Sequence, residues 1–198
     1  MKHIDFWLDF VSPYAYLAFE HLPRALEGLG YEVRLRPILF AALPQHHGQR
    51  APVESAPERD GSHRHAVWQA RQLGVPLQWP AAHPFDPLAL LRLAHACARQ
   101  GAPSRYVCET IFRHVWRGGG AADDAARLRA LAKALAPARE PGSDEVKQAL
   151  RAETDAAMAA GVSGVPTFGV DGCLCRGLDA WPTLRARLRG DEVPAPRA

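Results

Sequence analysis

The chain has no C-x-x-C pair anywhere in its 198 residues. Its four cysteines, Cys97, Cys108, Cys173 and Cys175, match no zinc-ligand spacing. A metal or redox role for Cys173 and Cys175, two apart on one strand face, is a minor reading beside four plain thiols. Long apolar runs are also missing, with nothing near the ~18 consecutive residues of a membrane span. So is a strong charge of either sign. The formal net charge of +3 is small and scattered, which argues against nucleic acid or an anionic membrane as partner. The N-terminus MKHIDFWLDF carries Asp5 and Asp9 within its apolar run and has no small-residue cleavage site. It reads as a first strand, not a signal peptide, and the expected location is cytoplasmic.

What is present is an ordinary globular composition, 47% hydrophobic and 23% charged, sized for one domain with an insertion. Ile4 to Asp9 predicts a buried strand, and Pro13 to about Leu29 a helix with Pro23 inside it. Tyr31 to Leu39 predicts a second strand. Together they make a β-α-β unit with parallel strands. Residues 41–62 read as loop. Helices are predicted at 63–74, 87–101, 104–117, 123–136 and 143–160 from their periodicity, caps and glycine stops. A β-hairpin turning at Asp171-Gly172 and a helix from Ala180 to Leu188 follow. Without the helical block the order is β-α-β, then β-β-α, the thioredoxin arrangement. The fold class is thus α/β, thioredoxin-like, with residues 1–40 and 162–190 forming that domain. Residues 41–161 form an all-helical insertion and 191–198 a loose tail.

Two loops carry the chemistry. Ser12-Pro13 ends the first strand and opens the first helix, as an N-cap serine with proline at the first helical position. GVSGVPTF, residues 161–168, places Val165-Pro166 just before the hairpin. In a thioredoxin-like fold this proline is cis and faces the first helix, and the preceding residue offers its backbone to an extended ligand.

The segments DFVSPYAYLAF, GVPLQWPAAHPFDPLALLRL, IFRHVWRGG, GVSGVPTF and VDGCLCRGLDAW run in order along nearly the whole chain. In them the chain resembles the 2-hydroxychromene-2-carboxylate isomerases. More broadly it is similar to the kappa-class glutathione transferases of the DsbA-like branch of the thioredoxin superfamily. Redox members of that superfamily carry C-x-x-C where this chain has Ser12-Pro13-Tyr14-Ala15. Disulfide exchange needs an attacking thiolate and a resolving partner, and neither is placed here.

The resemblance implies glutathione as cofactor, with Ser12 donating a hydrogen bond to its sulfur. A helix N-terminus contributes about 0.3–1 kcal/mol to a nearby anion, or ~2 when partly buried. A charge-assisted hydrogen bond adds roughly 1.5–3 kcal/mol. A combined ~3 kcal/mol is about two pKa units, enough to bring a thiol from ~8.5 to about 6.5. The resemblance further implies that Val165, held by Pro166, pairs with the cysteinyl part. It places the γ-glutamyl end in the loop Arg176-Gly177-Leu178-Asp179. There Asp179 binds the ammonium, while Gly177 and Leu178 present N–H groups to the carboxylate. From spacing alone Asp179 reads equally well as a helix cap. The family has arginine after this aspartate, where the chain has Ala180.

The insertion is expected to roof the site. In Gly48-Gln49-Arg50-Ala51-Pro52, Gln49 replaces the family's asparagine. The family's following lysine is missing, and Arg59 is the candidate cation in its place. His83 stands where the isomerases place a substrate-side polar residue, with a packing role as the alternative. His46 and His47 read as solvated loop residues. Trp68, Trp79 and Trp116 fit either an aromatic pocket or core. The implied reaction is cis–trans isomerisation of 2-hydroxychromene-2-carboxylate-type aromatics to trans-o-hydroxybenzylidenepyruvate, with glutathione regenerated and no metal. The alternatives are a kappa-like transferase acting on aromatic electrophiles and a non-enzymatic glutathione- or peptide-binding module. A homodimer is implied by family likeness only.

Overall fold

A computed structural model of the chain describes residues 1–43, 56–98 and 101–191, with backbone only for 56–60. Its sheet has four strands in the order β2-β1-β3-β4. Strand β1 (Lys2–Leu8) is central, parallel to β2 (Tyr31–Pro37) and antiparallel to β3 (Thr167–Val170). A strand covered on both faces reads as a near-continuous apolar run, as Phe6-Trp7-Leu8 does. Alternate side chains still separate. Ile4, Phe6 and Leu8 enter the main core, and Phe6 meets Phe168 at 4.6 Å between ring centroids. Trp7 packs on the opposite face with Ile38, Leu43, Ala157 and Val162. Strand β4 (Cys173–Arg176) completes the hairpin through Asp171 (φ 49°) and Gly172 (φ 76°), the two positive φ values that a type I′ turn requires.

Helix α1 (Pro13–Ala25) begins at Ser12, whose Oγ accepts the Ala15 N–H at 3.2 Å. It buries Tyr16, Leu17, Phe19 and Leu22, and Pro23 falls in its last turn. A 3-10 turn (Phe40–Ala42) follows β2. The helical block then supplies α2 (Ala56–Leu73), α3 (Leu88–Cys97), α4 (Arg105–Trp116), α5 (Ala125–Leu135) and α6 (Asp144–Ala159). Side chains of Ser104, Asp124 and Ser143 cap α4, α5 and α6. A second 3-10 turn (Leu178–Ala180) leads into α7 (Trp181–Arg189).

The block shares one core with the sheet. The ring of Phe10, just past β1, meets that of Phe112 at 4.9 Å, and the Trp116 indole N–H donates to the Phe10 carbonyl at 3.0 Å. Trp116 is fully buried, which settles its core reading.

Several boundaries differ from expectation. Helix α1 ends at Ala25, short of Leu29, and β2 at Pro37, short of Leu39. Strand β1 closes at Leu8, because Asp9 turns back to bond the loop amides described below. Helix α2 starts by Ala56, not 63: Pro57 suits a first turn and Gly61 is tolerated inside the helix. Helix α3 stops at Cys97, short of 101, where Arg139 from the α5–α6 connection donates to the carbonyls of His95 and Ala98. The tail beyond Asp191 lies outside the described residues.

Candidate functional site

The first turn of α1, the segment after β2, helix α2, the entry to β3 and the end of β4 meet around a cavity of about 290 Å³. Its lining includes Val165, Pro166, Arg176, Gly177, Leu178 and Asp179, six of the residues singled out in the sequence. The Val165-Pro166 peptide is cis. Ser12 is not part of the lining; it is the N-cap of α1, two residues before the lining residue Tyr14, and is 9% exposed.

The cap defines the proton direction at Ser12. Its oxygen accepts from Ala15, so the hydroxyl hydrogen remains to be donated to a ligand atom. The hydrogen bond of a cap and one to an anion therefore coexist at one hydroxyl. The four cysteines take no part: Cys108 and Cys175 are buried, and Cys97 and Cys173 half-buried. Burial pushes the thiols of Cys97, Cys108 and Cys175 above their ordinary range, away from thiolate character.

The loop expected to take the γ-glutamyl end differs in one respect. Gly177 does not offer its N–H to a ligand, because it donates to the Pro166 carbonyl at 2.9 Å. Of the two amides expected to face a carboxylate, that of Leu178 remains for the role. Gly177 has φ +81°, a conformation open to glycine, and this lets the chain leave β4 toward the site. Asp179 is exposed in the 3-10 turn, which has no side-chain cap, so its carboxylate is not a helix cap. Arg176 reaches across to Ser163, stitching β4 to the loop before β3.

Beside Ser163 and Gly164 of the same loop, the cavity is lined by Tyr14, Phe40, His65 and Gln69, none of them singled out in the sequence. Tyr14 lies in the same turn as Ser12, and His65 and Gln69 stand four apart on one face of α2. The Tyr14 hydroxyl is 3.0 Å from His65 Nδ1 and 3.2 Å from the Ser62 carbonyl. The His65 and Gln69 spacing was legible, but nothing local said which helix face would meet the loops.

His83 does not line this cavity and is held within the protein. Its Nε2 is 2.9 Å from the Val11 carbonyl and its Nδ1 is 3.2 Å from His63 Nε2, so both ring nitrogens are engaged within the protein. A carbonyl only accepts, hence Nε2 carries the hydrogen and Nδ1 receives one from His63. Burial lowers the His83 pKa and favours this neutral form. His63 in turn stacks on Trp79 at 3.8 Å. Trp68 is more than half exposed and stacks on His65. Gln49, His46, His47 and the Arg59 side chain lie outside the described residues.

A larger hollow of about 530 Å³ lies between α3 and α6, lined by Arg92, Lys147, Arg151 and Asp155 among others. Among the described residues, none of those expected to act in chemistry lines it.

A family model described as a DSBA-like thioredoxin domain matches residues 3–189. The chain belongs to this family. Among solved structures, this DsbA-like protein is similar to 2-hydroxychromene-2-carboxylate isomerase, with TM-score 0.81, 22% identity and 95% of each chain covered. It is also similar to the cytosolic disulfide reductase DsbM from Pseudomonas aeruginosa, solved with GSH. There the TM-score is 0.61 and the identity 18%, over 94% of this chain and 99% of that one. At these identities the likenesses establish the fold. No curated protein sequence matches the chain. Among the described residues no helix is long and apolar enough to cross a membrane, and no cluster of side chains could hold a metal ion.

Proposed function

We propose that the chain binds glutathione in the 290 Å³ cavity and uses it to isomerise 2-hydroxychromene-2-carboxylate-type aromatics. The observation that carries this reading is the convergence of Val165, Arg176, Leu178 and Asp179 on one cavity beside the head of α1. The donor set suits a zwitterionic amino-acid end: a carboxylate at Asp179 for an ammonium, and the Leu178 amide and Arg176 guanidinium for a carboxylate. The likeness to an isomerase and to a reductase solved with GSH supports the same ligand.

When bound, glutathione supplies a thiolate that adds reversibly to a conjugated double bond and so frees it to rotate. The protein's share is electrostatic. Ser12 donates its hydroxyl hydrogen toward the sulfur, and the N-terminal amides of α1 favour its anionic form. Val165 presents its backbone to an extended peptide, and Pro166, held by Gly177, keeps that backbone in place. With thiols absent from the turn, electrons are not transferred to or from the protein.

The test is the ultraviolet thiolate absorbance on adding glutathione to the purified protein at neutral pH, with Ser12→Ala as control. An absorbance rise that the variant loses, followed by turnover of a hydroxychromene carboxylate without consumption of glutathione, is the expected result. Binding without a rise overturns the activated-thiol mechanism. Consumption of glutathione in proportion to product indicates conjugation instead.

A further inference from the structure

The residue before Ser12 is gripped on both of its backbone groups by ionisable side chains. The Val11 N–H donates to Asp9 Oδ1 at 3.2 Å, and the Val11 carbonyl accepts from His83 Nε2. The other Asp9 oxygen, Oδ2, accepts the N–H of Phe40 at 2.9 Å. Phe40 is a wall of the cavity, on a different segment. One carboxylate therefore ties the loop that carries Ser12 to a wall of the cavity that faces its ligand. The Ser12 amide adds to the knot by donating to the Asp9 carbonyl at 3.1 Å.

We infer that Asp9 is a positioning residue whose ionised form, braced by His83, sets Ser12 and Phe40 for ligand binding, so that the cavity is assembled by the charge state of one buried carboxylate. This deepens the glutathione reading and rests on it for the identity of the ligand. A carboxylate accepts on both oxygens and a neutral carboxyl does so less strongly, so protonation loosens the tie to Val11 or Phe40.

The environment puts that switch in a usable range. Asp9 is fully buried. Burial raises its carboxyl pKa to about 7, against the opposing pull of the amides of Phe40, Val11 and Phe10. Asp86, from the loop leading into α3, adds repulsion that raises it further. His83 on the same loop, hydrogen-bonded to His63 of α2, is kept toward the neutral form by its own burial and gives no compensating charge.

The test follows the backbone amides of Val11, Ser12 and Phe40 by NMR between pH 5.5 and 8.5, in the wild type and Asp9→Asn. The affinity for S-methylglutathione, whose sulfur does not titrate, is measured at pH 6 and pH 8. The amides of Val11 and Phe40 are expected to move together with a midpoint near 7 and to stay still in the variant. Wild-type affinity is expected to be about threefold higher at pH 8, and by reciprocity saturating ligand lowers the midpoint by about half a unit. The variant's affinity is expected to be flat between the two pH values. Amides that do not titrate in this window overturn the inference, even where the ligand binds. So does an affinity independent of pH alongside titrating amides. Titrating amides with no binding at any pH leave the tie standing and overturn the glutathione reading instead. Should Asp9→Asn fail to fold, the wild-type midpoint and its response to ligand decide the matter.

Discussion

Gly177 donates its backbone N–H to the carbonyl of Pro166 at 2.9 Å, tying the end of β4 to the entry of β3. Both sides of the candidate peptide groove are thus one hydrogen-bonded unit. Residue 177 itself sits at φ +81° and ψ −178°. A side chain there strains the backbone even though space is open around it. Gly177→Ala is expected to cost about 1–3 kcal/mol in urea unfolding, because φ +81° with ψ −178° is a region that residues with a Cβ scarcely enter. It is also expected to weaken glutathione binding, because Leu178 and Asp179 move with it.

Asp179 is exposed, caps no helix and lines the cavity, so its removal should barely touch stability. Asp179→Asn is expected to reduce glutathione affinity about tenfold or more by calorimetry, the loss of one charge-assisted contact. Its unfolding midpoint is expected to stay within ~0.5 kcal/mol of the wild type. A large loss of stability with unchanged affinity would show that the carboxylate holds the turn, not a ligand.

Stability should vary with pH in a way that separates Asp9 from the histidines. Asp9 has a folded pKa of about 7 against an ordinary value of 3.8, so its contribution is full below about pH 4 and is lost as pH rises through 7. The gap corresponds to about 4 kcal/mol at most. Buried His95 and the half-buried His83 and His114 act in the opposite sense. Their pKa values are lowered by burial, so their contribution is present above 6.5 and lost as pH falls. The wild type is therefore squeezed from both sides. In urea melts at pH 5 and pH 8, Asp9→Asn is expected to lose less stability than the wild type on going to pH 8, while keeping the acid-side loss.

Trp116 joins the helical block to the sheet through the Phe10 carbonyl. Trp116→Phe leaves that buried acceptor without its donor and opens a small void beside Tyr16 and Trp79. The expected cost is about 2–3 kcal/mol in chemical denaturation, with the fold retained by circular dichroism.

Much of this protein was legible locally. The run Phe6-Trp7-Leu8 announced a buried strand, Ser12-Pro13 a helix start, and Asp171-Gly172 a hairpin, because each signal is carried by a few neighbouring residues. That the turn Ser12-Pro13-Tyr14-Ala15 carries no thiol was legible too, since it is a matter of residue identity alone. Tertiary structure decided which groups remain for a ligand. Whether Gly177 offers its N–H depends on Pro166, eleven residues away in sequence. Whether His83 faces substrate or braces Val11 depends on a contact across 72 residues. Asp9 stood out in the sequence as a charge inside an apolar run. Only the approach of Phe40 from beyond β2, and the burial that goes with it, made that carboxylate a clasp with a pKa near neutrality.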